Sequence, residues 1–235
     1  MQENGFDFYD PQGGFLDEDV SAYTVKTFAW MFAGLLVTFG VAVTGYITGL
    51  IWYVFMIPAF QIVLLVSELA VVLVLSARIQ KLQVATARGL FFAYSALNGL
   101  VFSAYFLIYH LSSLVLVFLM TAVYFGAMAA YGHFTKTDLS RLRPILVGGL
   151  IFLLLFALVS LFLPLESMER LVCLAGVAIF LGFTAYDTQK LRGYYACYQG
   201  DPQMLRRASI FSALQLYLDF INLFLYLLRF LGKKK

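Results

Sequence analysis

The stretch ASIFSALQLYLDFINLFLYLLRFL, residues 208–231, decides how the chain folds. As an α-helix it is long enough to cross the roughly 30 Å hydrocarbon core of a bilayer. Its polar positions are Ser212, Gln215, Asp219, Asn222 and Tyr226, spaced by 3, 4, 3 and 4 residues. At 3.6 residues per turn that spacing aligns them on one face. Nearly every other position is Leu, Phe or Ile. A rod of this kind turns its stripe toward protein or water and its apolar faces toward neighbours. A membrane strand would alternate apolar and polar residues over about ten positions, and this stretch does not.

Comparable apolar runs recur upstream, at 27–49, 51–76, 89–109, 114–133, 144–163 and 168–190, which with 208–231 makes seven. The 235 residues are 62% hydrophobic and 12% charged, with a mean hydropathy of +0.87. Soluble domains run near half apolar and about a quarter charged, so lipid must solvate most of this chain. The reading is an all-α integral membrane protein with seven transmembrane helices over residues 26–235, preceded by an acidic flexible tail over 1–25. That tail holds six acidic residues, no Lys or Arg, and a Pro-Gly break at 11–14. It lacks the basic and short apolar regions of a signal peptide.

Loop charge orients the spans. With seven spans, the side that carries the tail receives Lys26, Arg78, Lys81, Arg88, Lys136, Arg141, Arg143, Lys190, Arg192, Arg206 and Arg207, and the other side receives Arg170, Arg229 and Lys233 to Lys235. Positive-inside bias places the N-terminus in the cytoplasm, against the preference of the terminal lysines. The charge of +3 forms no basic stripe, so no nucleic-acid partner is expected. Cys173 and Cys197 are too few for a disulfide framework, and Cys173, inside an apolar run, reads as inert core.

Ionisable groups within hydrocarbon are costly and mark function by default. Three carboxylates qualify: Glu68 in the second run, Asp187 near the end of the sixth and Asp219 in the middle of the seventh. Asp219 with its stripe points to ion or proton handling, the alternative being interhelical hydrogen bonds that hold the bundle together. Asp187 alone could pair with Lys190 one turn later. Together, two carboxylates in low dielectric cannot easily both ionise, and would share a proton and titrate as a unit. Glu68 reads as a structural ion pair, with Arg78 or Arg229 as partner. Taking these boundaries at 1.5 Å per residue, Asp219 lies about 16 Å and Asp187 about 5 Å from the cytoplasmic surface. For the two to meet, the sixth helix must end deeper or continue through residues 193–198.

Weaker signals are His110 and His133 at span ends, and Gly45 with Gly49 as one small-xxx-small pair suggesting close helix packing. No His or Cys cluster has metal-ligand spacing. Phosphate-cradling loops, paired zinc histidines and the nucleophile elbow are all missing. The last span has no lysine before its terminal cluster, which excludes a retinal Schiff base. No enzyme is expected, and no cofactor.

Five stretches carry a resemblance: LSARIQKL at Leu75–Leu82, FFAYSALNGLVFSAYFLIY at Phe91–Tyr109, TAVYFGAMAAYGHFTKTDLS at Thr121–Ser140, GFTAYDTQKL at Gly182–Leu191 and LYLDFINLFLYLLRF at Leu216–Phe230. The sequence resembles the Bax inhibitor-1 family of multi-span membrane proteins, in particular its bacterial members, over nearly everything after the tail. The resemblance implies a seven-helix bundle with the last helix central, in the bacterial inner membrane. It implies a pH-sensitive calcium leak in which aspartates of the sixth and seventh helices, here Asp187 and Asp219, hydrogen-bond and sense protons. It further implies a latch arginine after the second helix. Arg78 is the nearest candidate, one position early in register.

Calcium prefers six to eight oxygen ligands. Two aspartates with Asn222, Gln215 and water form a sparse set, suited to weak, transient binding during conduction. A second reading is a non-transporting regulator that binds another membrane protein through its tail or the loop at 192–207. A third is an intramembrane aspartyl protease. Tyr186-Asp187 fits it, but Asp219 follows Leu216-Tyr217-Leu218 where a Gly-x-Gly setting is required.

Overall fold

The computed structural model describes residues 20–56, 74, 81–160, 162, 163 and 165–235. Among these residues the chain is helical: α1 (Val20–Ile47), α2 (Leu50–Met56), α3 (Val84–Ile108), α4 (Leu111–Phe134), α5 (Arg143–Val159), α6 (Glu166–Tyr198) and α7 (Pro202–Leu231), with a 3-10 turn at Leu139–Leu142 before α5. Among the described residues, six helices are long and apolar enough to cross a membrane: α1, α3, α4, α5 with its 3-10 turn, α6 and α7. The chain is an all-α, multi-pass membrane protein. Of the expected span 51–76, α2 and Val74 are described; the remainder, with Glu68 and Arg78, lies outside the described residues. The expected tail also lies outside them up to residue 19, whereas 20–25 belong to α1.

Local chemistry sets the helix limits. Gly49, at φ 70°, takes the left-handed turn that ends α1. The Gly45–Gly49 pair thus divides: Gly45 is buried against Ser103 of α3, where an added Cβ would fall 3.4 Å from the Ser103 Cβ, and Gly49 is a stop signal. Asp201 caps α7 by accepting from the Gln203 and Met204 N–H groups, and Pro202 takes the first turn, where no N–H is needed. This cap starts α7 six residues before the expected 208.

α7 packs against α1, α3, α4 and α6. Two thirds of its apolar window (67%) is buried, against 11–44% for the other five. Tyr217 meets Phe91 and Tyr94 of α3 edge-on, and its hydroxyl hydrogen-bonds Thr38 of α1 at 2.7 Å. Phe118 and Phe125 of α4 lie edge-on to Phe220, and Phe102 of α3 stacks on Phe224. Lipid is as apolar as these side chains, so close packing and interhelical hydrogen bonds hold the bundle together. Outward-facing residues such as Val123 and Ile145 are each 70% exposed, as lipid contact requires.

After α7 the chain straps the α3–α4 connection. The Lys235 N–H donates to the Ile108 carbonyl (2.9 Å), the His110 N–H to the Lys233 carbonyl (3.2 Å), and Lys235 Nζ to the Phe106 carbonyl (2.8 Å). The end of α7 and the α3–α4 connection therefore share one face of the bundle.

Candidate functional site: a buried aspartate pair

α6 and α7 run antiparallel, joined by a short turn at 199–201. Two ring contacts fix their register: Phe180 stacks on Tyr226 at 5.8 Å, and Tyr194 meets Phe211 edge-on at 6.5 Å. Phe180 and Tyr194 lie seven residues to either side of Asp187, and their partners lie seven and eight residues from Asp219. The two carboxylates therefore stand at the same level of the bundle. Both are buried, 8% and 5% exposed, and Asp219 is within electrostatic reach of Asp187 and Lys190.

This level pairing depends on the length of α6. The sequence reading ended the sixth span at 190, but the helix continues to Tyr198, through Gly193-Tyr194-Tyr195-Ala196-Cys197. The charges at Lys190 and Arg192 do not end it. Lys190 Nζ lies 5.7 Å from the Tyr186 ring centre and 5.1 Å from that of Tyr194. Such cation–π contact lets a long cationic side chain run along an apolar surface. Asp187 is thus well inside its helix, and the depth difference of the sequence reading is removed.

The polar stripe of α7 divides. Ser212, Asp219 and Tyr226 recur every seven residues on the side facing α6, where the Tyr226 ring lies against Gly176; a Cβ there would fall 2.5 Å from it. Ser212 is buried, while Gln215, Asn222 and Tyr226 are half-buried. Asn222 Nδ2 donates to the Leu218 carbonyl at 2.8 Å, satisfying its amide within its own helix. Arg229 lies over Tyr226 at 6.0 Å, ten residues and so about 15 Å along the helix from Asp219.

Two neighbours of Asp187 had no distinguishing mark in the sequence. Gln189 clamps the α4–α5 connection: Oε1 accepts from the Leu139 N–H (2.9 Å), and Nε2 donates to the Thr137 carbonyl (2.7 Å). Thr188 is fully buried. Its Oγ1, Ser212 Oγ and Asp219 Oδ2 have no hydrogen-bond partner among the described residues. No group of three or more His, Cys, Asp or Glu that could hold a metal ion occurs among the described residues. Two carboxylates are too few oxygen ligands to form a calcium cage.

The family model described as inhibitor of apoptosis-promoting Bax1 matches residues 20–235. The chain belongs to the Bax inhibitor-1 family. This family member is 42% identical over 227 residues to inner membrane protein YbhL of Escherichia coli K12, covering 92% of this chain and 93% of the relative. It is 35% identical over 219 residues to protein RP147 of Rickettsia prowazekii, covering 93% and 92%. A Borreliella burgdorferi protein is 36% identical over 217 residues, covering 91% and 92%. In this Bax inhibitor-1 chain, the match spans every described helix and both aspartates.

Proposed function

We propose that this protein is a pH-sensitive cation leak of the bacterial inner membrane, with calcium as the transported ion and Asp187 and Asp219 as a proton-sharing gate. The observation that carries the reading is two buried carboxylates at one level of adjacent antiparallel helices, with Asp219 Oδ2 lacking a partner among the described residues. A shared proton lets two acids sit side by side in low dielectric. Adding or removing it changes the charge between α6 and α7 and alters their contact. The likeness to an inner membrane protein supports the location. The excess of basic residues on one side supports a cytoplasmic N-terminus. A seventh span at 51–76, with α7 central, is in keeping with the four helices that α7 packs against among the described residues.

The test is calcium flux into liposomes containing the purified protein, measured across pH. Wild type conducts with a pH-dependent rate. Asp187→Asn and Asp219→Asn each lose that dependence. Unchanged flux and an unchanged pH response in both variants would remove the gate.

A further inference from the structure

We propose that the α6–α7 seam is hydrated on one side of the aspartate pair only: a file of internal water links Ser212, on the side of the α6–α7 turn, to Thr188 and the aspartates, and the half beyond Asp219 is dry. This deepens the reading above, which requires the pair to meet protons and leaves open from which side.

The buried hydroxyls supply the first observation. Thr24, Thr27, Thr38, Ser95, Thr121 and Thr184 each donate to the carbonyl four residues back, the usual way a helix in lipid satisfies a hydroxyl. Thr188 and Ser212 are 0% and 2% exposed and forgo that bond. A buried polar group without a partner is costly, and internal water bridging such groups removes the cost. Asp219 Oδ2 is orphaned in the same way. Ser212 lies seven residues from Asp219 toward the turn, about 10 Å, a gap that roughly three waters at hydrogen-bond spacing fill. Ala185 meets α4 at Gly132, and Thr188 follows one turn later on that face. Thr188 is thus buried on the side of α6 that meets α4, next to Asp187 in sequence.

The other direction lacks such groups. Apolar positions of α7 are buried on both sides of Asp219, Leu205, Leu214 and Leu216 toward the turn and Leu223, Leu227 and Leu228 beyond it, so the difference lies in the polar groups. Asn222 turns its amide onto its own backbone, and Tyr226 is pressed between Phe180 and Gly176. No orphaned oxygen occurs there among the described residues, and a dry apolar seam gives water no partners.

Cysteine accessibility in the full chain, reconstituted in liposomes with Cys173 and Cys197 replaced by Ser, tests the asymmetry. Ser212→Cys changes one oxygen for sulfur, and Leu223→Cys probes the dry half. Silver ion does not cross lipid and is small enough to follow water along a narrow file. It should block Ser212→Cys at least tenfold faster than Leu223→Cys, read as loss of thiol labelling after denaturation, and only when added on the side of the α6–α7 turn. Thr188→Cys should follow Ser212→Cys. If Ser212→Cys and Thr188→Cys react no faster than Leu223→Cys in the folded protein, while all three react fully in denaturant, there is no water file. If Leu223→Cys reacts as fast as Ser212→Cys, the seam is wet throughout and the asymmetry is lost. Labelling reads hydration alone: a reactive Ser212→Cys in a protein without calcium flux would retain the water file and remove the leak, and an unreactive one in a conducting protein would do the reverse.

Discussion

Gly132→Ala should loosen the wall that supports Asp187. Gly132, on α4, is buried where α4 crosses α6, and a Cβ built on it would run into the Ala185 carbonyl, 2.8 Å from its carbon and 2.9 Å from Ala185 Cα. Carbon atoms rest at about 3.5–4.0 Å, so the helices must part by roughly 0.7 Å or more. The obstacle is backbone, which cannot rotate aside. Overpacking of this kind costs about 1–3 kcal/mol, here at the upper end, and the gain in helix propensity over Gly returns about 1 kcal/mol. The net loss of about 2 kcal/mol corresponds to a fall in Tm of about 4–8 °C for a chain of this size. Gly126→Ala is the matched control: it lies on the same helix with nothing within 4 Å of its would-be Cβ. Thermal unfolding in detergent should therefore separate the two variants, with Gly126→Ala at or above wild type. A Gly132→Ala protein as stable as Gly126→Ala would refute the close α4–α6 crossing.

Gln189→Leu removes both bonds to the α4–α5 connection, and amide exchange at Leu139 should rise at least tenfold, equivalent to about 1.4 kcal/mol or more, while core helices keep their protection. The Ser140 hydroxyl and N–H hold the fully exposed Asp138 carboxyl below its ordinary range. The support it gives the 3-10 turn is thus complete above the ordinary carboxylate range and lost as pH falls through the lowered value. Exchange at Ser140 should speed up on acidification in wild type and be pH-flat, beyond intrinsic chemistry, in Asp138→Asn. Thr38→Val and Tyr217→Phe each break the 2.7 Å bond tying α1 to α7. Each should cost about 1 kcal/mol, and the double variant less than their sum by thermal unfolding in detergent.

Much of the architecture was legible because helices in lipid announce themselves by length and composition. The apolar runs at 89–109 and 114–133 correspond to α3 and α4 within a few residues. The ends of α6 and α7 were harder to read. Lys190 and Arg192 look like a membrane boundary, yet the tyrosines at 186 and 194 shelter the Lys190 ammonium and the helix runs on. Asp201-Pro202 is a strong start signal, but it lies in the polar stretch ahead of the apolar run, where hydropathy gives no mark. Asp187 and Asp219 stood out because carboxylates are rare in such runs, but their common level follows only from ring contacts between helices. Gln189 gave no local sign, since its partners lie 50 and 52 residues away. Thr188 looked like any helix hydroxyl until its missing backbone bond set it apart.

The most direct measurement is the protonated-carboxyl stretching band in infrared difference spectra of the reconstituted protein, followed across pH beside calcium flux. The account predicts a band that titrates in step with flux and is lost in both Asp187→Asn and Asp219→Asn. A band absent at every pH, or one that survives unchanged in both variants, would contradict it.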